Sequence, residues 1–189
     1  SLRVLTNFII MFVIPSYKFQ VSNWREKKSL LYKLYDNVQF TNDDPESNVH
    51  TDYGQDKHVE SVCNILNDDL QRFCNHYMLQ NVQVYNAWFQ KYNDGQFHAP
   101  HNHGPVGWSC VLYIEFDPEV HGATRFIAPY MDISGMGISH TPQVTEGTIL
   151  FFPSMLIHYV SPSKTDKTRV ILSMNLGERD PSTRYYISQ

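Results

Sequence analysis

The sequence is poor in cysteine: Cys63, Cys74 and Cys110 are the three among 189 residues, an odd number with no CxxC pair. That excludes a disulfide scaffold and a cysteine-built zinc module, and it predicts free, buried thiols in a reducing compartment, the cytoplasm. There is no long hydrophobic run. Leu2 to Ile14 is apolar almost throughout, but it falls short of the ~20 residues that cross a bilayer. A signal peptide would need a small-residue cleavage site where Pro15-Ser16-Tyr17-Lys18 stands. We expect a buried first strand there, the first ten residues being an extension ahead of Met11. Positive charge is not in excess either: 15 Lys and Arg against 19 Asp and Glu leave a net charge of -4, which disfavours nucleic acid as a partner. Internal repeats, heptads and low-complexity blocks are absent.

What is present is a core. Hydrophobic residues make up 42% of the chain, aromatics 14% and charged residues 18%, a composition that folds rather than stays disordered. The length fits one domain, with an N-terminal strand and helices over 1–80, a β core over 81–176 and a tail over 177–189. Trp24 to Asn37 has a moderate helical pattern, with Leu30, Leu31, Leu34 and Tyr35 among charged residues. From Lys57 to Leu79 the apolar stripe is clear, because Val59, Val62, Cys63, Leu66, Leu70, Phe73, Cys74, Tyr77 and Met78 recur at steps of three and four. Thr41 to Asp56, rich in Asn, Asp, Ser, Pro and Gly, reads as an exposed loop.

After residue 80 the period changes to two. The alternation starts at Val82, and short β-rich runs follow at Ser109–Phe116, Thr124–Ala128, Gly147–Phe152 and Arg169–Leu176, separated by Pro and Gly. That spacing predicts an antiparallel sandwich or barrel rather than βαβ units. Between Pro129 and Pro142 no strand period is visible, and a two-glycine lid over a site is expected there.

Nine histidines are present, with His98, His101 and His103 close together. In an extended segment His101 and His103 project to one side and His98 to the other. An isolated HxH is as readily a solvated loop. A later single His158 closes the segment Glu146 to His158, a hydrophobic strand followed by a turn, and an antiparallel barrel brings such residues to one mouth, giving three imidazoles for one metal ion. Alone, His158 reads equally as a core histidine. Arg169 comes eleven residues later, on a strand face shared with Ser173 and Asn175. Pointing inward, it would be a buried charge that needs a partner, and a small dicarboxylate supplies one through a bidentate fork. Pointing outward, it would simply pair with an acidic side chain.

These residues resemble the iron(II)- and 2-oxoglutarate-dependent oxygenases, specifically the prolyl-4-hydroxylase-like branch with its small members from bacteria and their viruses. The likeness runs from Trp88 to Asn175. It is carried by Trp88-Phe89-Gln90-Lys91-Tyr92, His101-Asn102-His103, Cys110-Val111-Leu112-Tyr113-Ile114, His121-Gly122-Ala123-Thr124-Arg125-Phe126, the segment Glu146-Gly147 to Pro153, His158 and Arg169. It implies a mainly β double-stranded β-helix, a jelly-roll or cupin-like barrel, with N-terminal helices packed on it. It also implies Fe(II) held by His101, His103 and His158, with 2-oxoglutarate as cosubstrate and O2. Arg169 would hold the distal carboxylate, helped by Tyr113, Ser173 or Asn175. The reaction would be hydroxylation, possible substrates being a peptidyl proline, an amino acid or another small molecule. The family's first motif usually reads His-x-Asp or His-x-Glu, whereas position 103 is His, which leaves the site one charge unit more positive. Glu115 and Asp117 lie at the far end of a strand and are not expected to reach the metal.

Two alternatives stay open on the residues. A cupin-like three-His enzyme would use iron, zinc or manganese without 2-oxoglutarate and would not need Arg169 inside. A non-catalytic jelly-roll binding module would carry its histidines incidentally. Trp88, Tyr92 and Trp108 could line a pocket or the core, His140 reads as loop surface, no membrane association is expected, and the oligomeric state is open, a homodimer included.

Overall fold

The alternating segments pair as antiparallel strands. The structure, a computed structural model, describes residues 15–42, 46–162 and 164–178, so the reading of Leu2 to Ile14 and most of the tail lie outside the described residues. In chain order the elements are β1 (Tyr17–Gln20), α1 (Trp24–Tyr35), β2 (His50–Thr51), α2 (Val59–His76), β3 (Val82–Tyr92), β4 (His98–His101) and β5 (Trp108–Glu115). Then come β6 (Arg125–Met131), β7 (Gly137–His140), β8 (Thr148–Pro153), β9 (His158–Val160) and β10 (Arg169–Glu178). Six strands form a large sheet in the order β1-β8-β5-β10-β3-β2, and four form a small one, β4-β9-β6-β7. This is the mainly β jelly-roll architecture, though the two sheets face each other without closing into a barrel.

Strand parity divides the core. On β10, Val170, Leu172, Met174 and Leu176 point to the helix side and pack with Leu31 of α1 and Val62, Leu66, Leu70 and Phe73 of α2. Phe73 stacks on Phe151 of β8 with ring centroids 4.0 Å apart. Ile171, on the other face, joins Tyr92, Val111, Tyr113, Leu150, Phe152, Phe126 and Val160 between the sheets. Trp108 belongs to the helix side, against Phe73 and Tyr77. The α2 stripe holds from Val59 to Cys74; Met78, beyond its end in a left-handed turn at φ 53, is exposed. Helix α1 is tied to α2 by a buried ion pair, Lys27 Nζ to Asp69 Oδ2 at 2.6 Å.

Two segments differ from expectation. The stretch 41–56 is not all exposed loop: β2 pairs with β3, and Ser47, Val49 and Asp52 are buried. Asp52 Oδ1 accepts the Phe89 N–H at 2.7 Å, so a side chain takes over where the edge strand stops offering carbonyls. The stretch 130–141 is a hairpin rather than a strandless lid, with β6 continuing to Met131 and turning into β7. Its tip is built by Asp132 Oδ1, which accepts from the backbone N–H groups of Ser134 and Met136, an Asx-type turn that hydrophobic periodicity does not reveal. Among the described residues, no helix is long and apolar enough to cross a membrane.

Candidate metal centre

Strand pairing sets the first two histidines opposite each other. In the β4–β9 ladder His101 is the cross-strand partner of His158, and directly opposed side chains share a face. His103 lies two residues past β4, where its backbone N–H donates to the Ser154 carbonyl at 2.8 Å. The ring centroids are 4.3 Å apart for His101 and His158, 5.0 Å for His103 and His158 and 5.2 Å for His101 and His103. One ligand atom from each lies within 4.8 Å of the other two.

Each ring is also held from behind. Nδ1 of His101 faces the Ala99 carbonyl at 2.7 Å, Nδ1 of His158 the Leu156 carbonyl at 2.9 Å, and Nδ1 of His103 the Asn175 side-chain oxygen at 2.6 Å. A nitrogen that faces an acceptor carries the proton. All three imidazoles therefore donate from Nδ1 and keep a lone pair on Nε2, which is how ligating histidines are oriented. Burial, reinforced by the His101 imidazole, pushes His158 down to about 2. Burial likewise lowers His103. Both are neutral donors near pH 7. Trp88 lies beside His103 at 5.5 Å, with Phe126 and Phe152 beside His158, a largely apolar surround. The donor set suits a divalent metal with open positions.

His98 does not face away as strand parity predicts. The β4 register slips between His98 and His101, and the His98 ring stacks on His101 at 3.9 Å. Its Nδ1 lies 3.0 Å from Gln90 Nε2.

Arg169 points inward. It is 2% exposed, with its guanidinium 4.6 Å from the Tyr92 ring centre and 5.6 Å from that of Tyr113. Among the described residues none of its three nitrogens has a hydrogen-bond partner. Burial pushes the Tyr92 hydroxyl up to about 12, with the Arg169 charge pulling the other way. Tyr113 Oη accepts the Thr124 N–H at 3.2 Å, so its own proton remains to be donated. Ser173 Oγ donates to Gln90 Oε1 at 3.1 Å, and Asn175 is engaged with His103. Glu115 pairs with Lys28 and Asp117 with Lys167, both outside the histidine cluster. His121 is buried away from it, its Nδ1 accepting the Asp117 N–H, and His140 is exposed at the end of β7.

Sequence reasoning set His98 on the wrong side and gave no role to Gln90, Ser109 or Ser154. For Gln90 on β3 and Ser109 on β5, a polar residue inside an otherwise apolar strand was the available signal.

Residues 86–175 match the family model described as "Putative 2OG-Fe(II) oxygenase". That stretch is similar to the 2OG-Fe(II) oxygenases. Solved 2OG-Fe(II) oxygenases share the fold of the chain. A prolyl-4-hydroxylase from Pseudomonas putida has 18% identity and a TM-score of 0.65, over 89% of this chain and 95% of that one. The collagen prolyl hydroxylase of Paramecium Bursaria Chlorella virus-1, in its 2OG complex, has 14% identity and a TM-score of 0.59, over 87% and 96%. HygX from Streptomyces hygroscopicus, with nickel and 2-oxoglutarate bound, has 11% identity and a TM-score of 0.66, over 87% and 83%. No curated protein matches the chain in sequence.

Proposed function

We propose that this domain works as a non-haem Fe(II) hydroxylase with 2-oxoglutarate as cosubstrate, His101, His103 and His158 holding the metal through Nε2. The observation that carries the reading is Arg169, a buried cation between the sheets whose nitrogens have no hydrogen-bond partner among the described residues. A protein tolerates such a charge where a ligand neutralises it, and the distal carboxylate of 2-oxoglutarate meets a guanidinium in a bidentate fork. Tyr113 adds its hydroxyl proton. Ser173 supports this end through Gln90, and Asn175 serves the metal end. When bound, iron with 2-oxoglutarate and O2 supplies oxidative decarboxylation coupled to hydroxylation of the substrate. Trp88, Phe126 and Phe152 keep bulk water from the cluster. His103 replaces an anionic ligand with a neutral one, so the dianionic cosubstrate meets a more positive site.

The substrate is a peptide, with proline the first candidate, or a small molecule. Related folds include a Trichoplax adhaerens prolyl hydroxylase solved with a hypoxia inducible factor peptide and HygX solved with hygromycin B. We further propose that the described residues act as one domain in the cytoplasm, consistent with buried thiols such as Cys110.

Anaerobic titration with Fe(II) and then 2-oxoglutarate tests the assignment. A visible charge-transfer band of a chelated keto acid, lost in His101→Ala, His103→Ala and His158→Ala alike, is the expected result. Metal binding without the band would favour a three-His enzyme that does not use 2-oxoglutarate, and no metal binding would leave a binding module.

A further inference from the structure

We propose that Asn175 is the positioning residue that makes an imidazole at position 103 serviceable as a metal ligand, by fixing its tautomer. The inference rests on the metal-site reading above.

His101 and His158 are oriented by backbone carbonyls two residues before them, which cannot turn over. His103 instead depends on a side-chain amide, which has two orientations with opposite consequences. As placed, Asn175 Oδ1 accepts from His103 Nδ1 at 2.6 Å and from Ser109 Oγ at 2.9 Å, while its Nδ2 faces Asn86 Oδ1 at 3.4 Å. A half-turn would point the NH2 group at Nδ1, move the imidazole proton to Nε2 and remove the lone pair that faces the other rings. It would also set the Asn175 carbonyl against the Asn86 carbonyl.

The surroundings favour the productive orientation. Asn175 is the cross-strand partner of Ser109 on β5 and of Asn86 on β3, so it is held from both sides of a central strand. Ser109 is fully buried, and its Oγ lies 3.0 Å from Ser154 Oγ. With Ser154 Oγ donating to Ser109 Oγ, Ser109 has its proton left for Asn175. The Ser154 backbone carbonyl also accepts the His103 backbone N–H, so one residue holds the backbone of His103 directly and its ring through Ser109 and Asn175. A carboxylate at 103 would need none of this, having no tautomer to fix.

The test uses the full chain. In metal-free protein with 15N-labelled histidine, long-range 1H–15N correlations should show the His103 proton on Nδ1. In Asn175→Leu that proton should shift toward Nε2 while His101 and His158 are unchanged, and Co(II) affinity should fall about 10–100-fold, the usual cost of losing such a partner. Asn175→Asp, which keeps the shape and the acceptor, should retain affinity; a fall to the Leu level would overturn the proposal. So would a parent His103 protonated on Nε2. In a His103→Asp background, Asn175→Leu should change Co(II) affinity little, and an equal loss there would make the role merely structural. If His103→Ala leaves Co(II) affinity intact, the metal-site reading itself fails, whatever the tautomer measurement shows.

Discussion

Replacing Arg169 with Met should make the ligand-free protein more stable while nearly abolishing cosubstrate binding. The guanidinium is buried with no hydrogen-bond partner among the described residues, over the faces of Tyr92 and Tyr113. A buried group left unsatisfied costs about 1–3 kcal/mol, more when charged. The two rings return about 0.5–2 kcal/mol through cation–π attraction. Met keeps the apolar stem and drops the charge, so the net gain is about 1 kcal/mol, or roughly 2–4 °C in Tm for a chain this size. The sign inverts with 2-oxoglutarate. Losing a charge-assisted fork costs about 3 kcal/mol, which weakens the cosubstrate about 100-fold, while the histidines still bind metal. Thermal melts with and without 2-oxoglutarate, together with separate metal and 2-oxoglutarate titrations, read all three quantities. A variant less stable than the parent without ligand, or equal losses of metal and cosubstrate affinity, would show that Arg169 serves the fold.

Asp69→Leu should cost about 3 kcal/mol, because it strands the Lys27 ammonium in a buried site. The double variant Lys27→Met/Asp69→Leu should recover most of that loss in urea unfolding, and a neutral Asp69→Leu would refute the account. Gly107→Ala should cost roughly 1–3 kcal/mol from backbone strain alone, since Gly107 has φ +93 and an added Cβ would sit 2.6 Å from the Leu176 carbonyl oxygen; an unchanged Tm would count against it. Burial raises Glu115, but Lys28 and Tyr32 more than offset it and hold the carboxyl below its ordinary 4.5. Its contribution is therefore complete above pH 4.5 and is lost as pH falls through the lower folded value. Glu115→Gln should remove that part of the acid dependence of Tm, and a parallel acid limb would contradict it.

Long periodic segments were legible in the sequence and short ones were not. α2 and β10 each carry enough alternation to show both element and buried face. β2, with two residues, and β9, with three, are strands only because a partner lies alongside, which no local pattern encodes. The meeting of His101, His103 and His158 and the burial of Arg169 followed from strand order and parity, because three imidazoles and an inward cation are unusual residue types to find at fixed places on β strands. His98 defeated parity because the β4 register slips at that point, and the dependence of His103 on Asn175 spans 72 residues. Asp52 looked like loop because its role, capping the Phe89 amide, depends on a strand edge 37 residues away.

The position of β10 bears on how the domain is made. Among the described strands it is the last in sequence, yet it sits between β5 and β3 in the large sheet. At the rim, β1 pairs with β8, bringing Tyr17 opposite Phe151. As the chain leaves the ribosome, neither half of that sheet can be joined until residues near 178 emerge, and pairings this distant in sequence form slowly. Until β10 emerges, the nascent polypeptide exposes the apolar edges of β3 and β5, which makes it a natural client for chaperones.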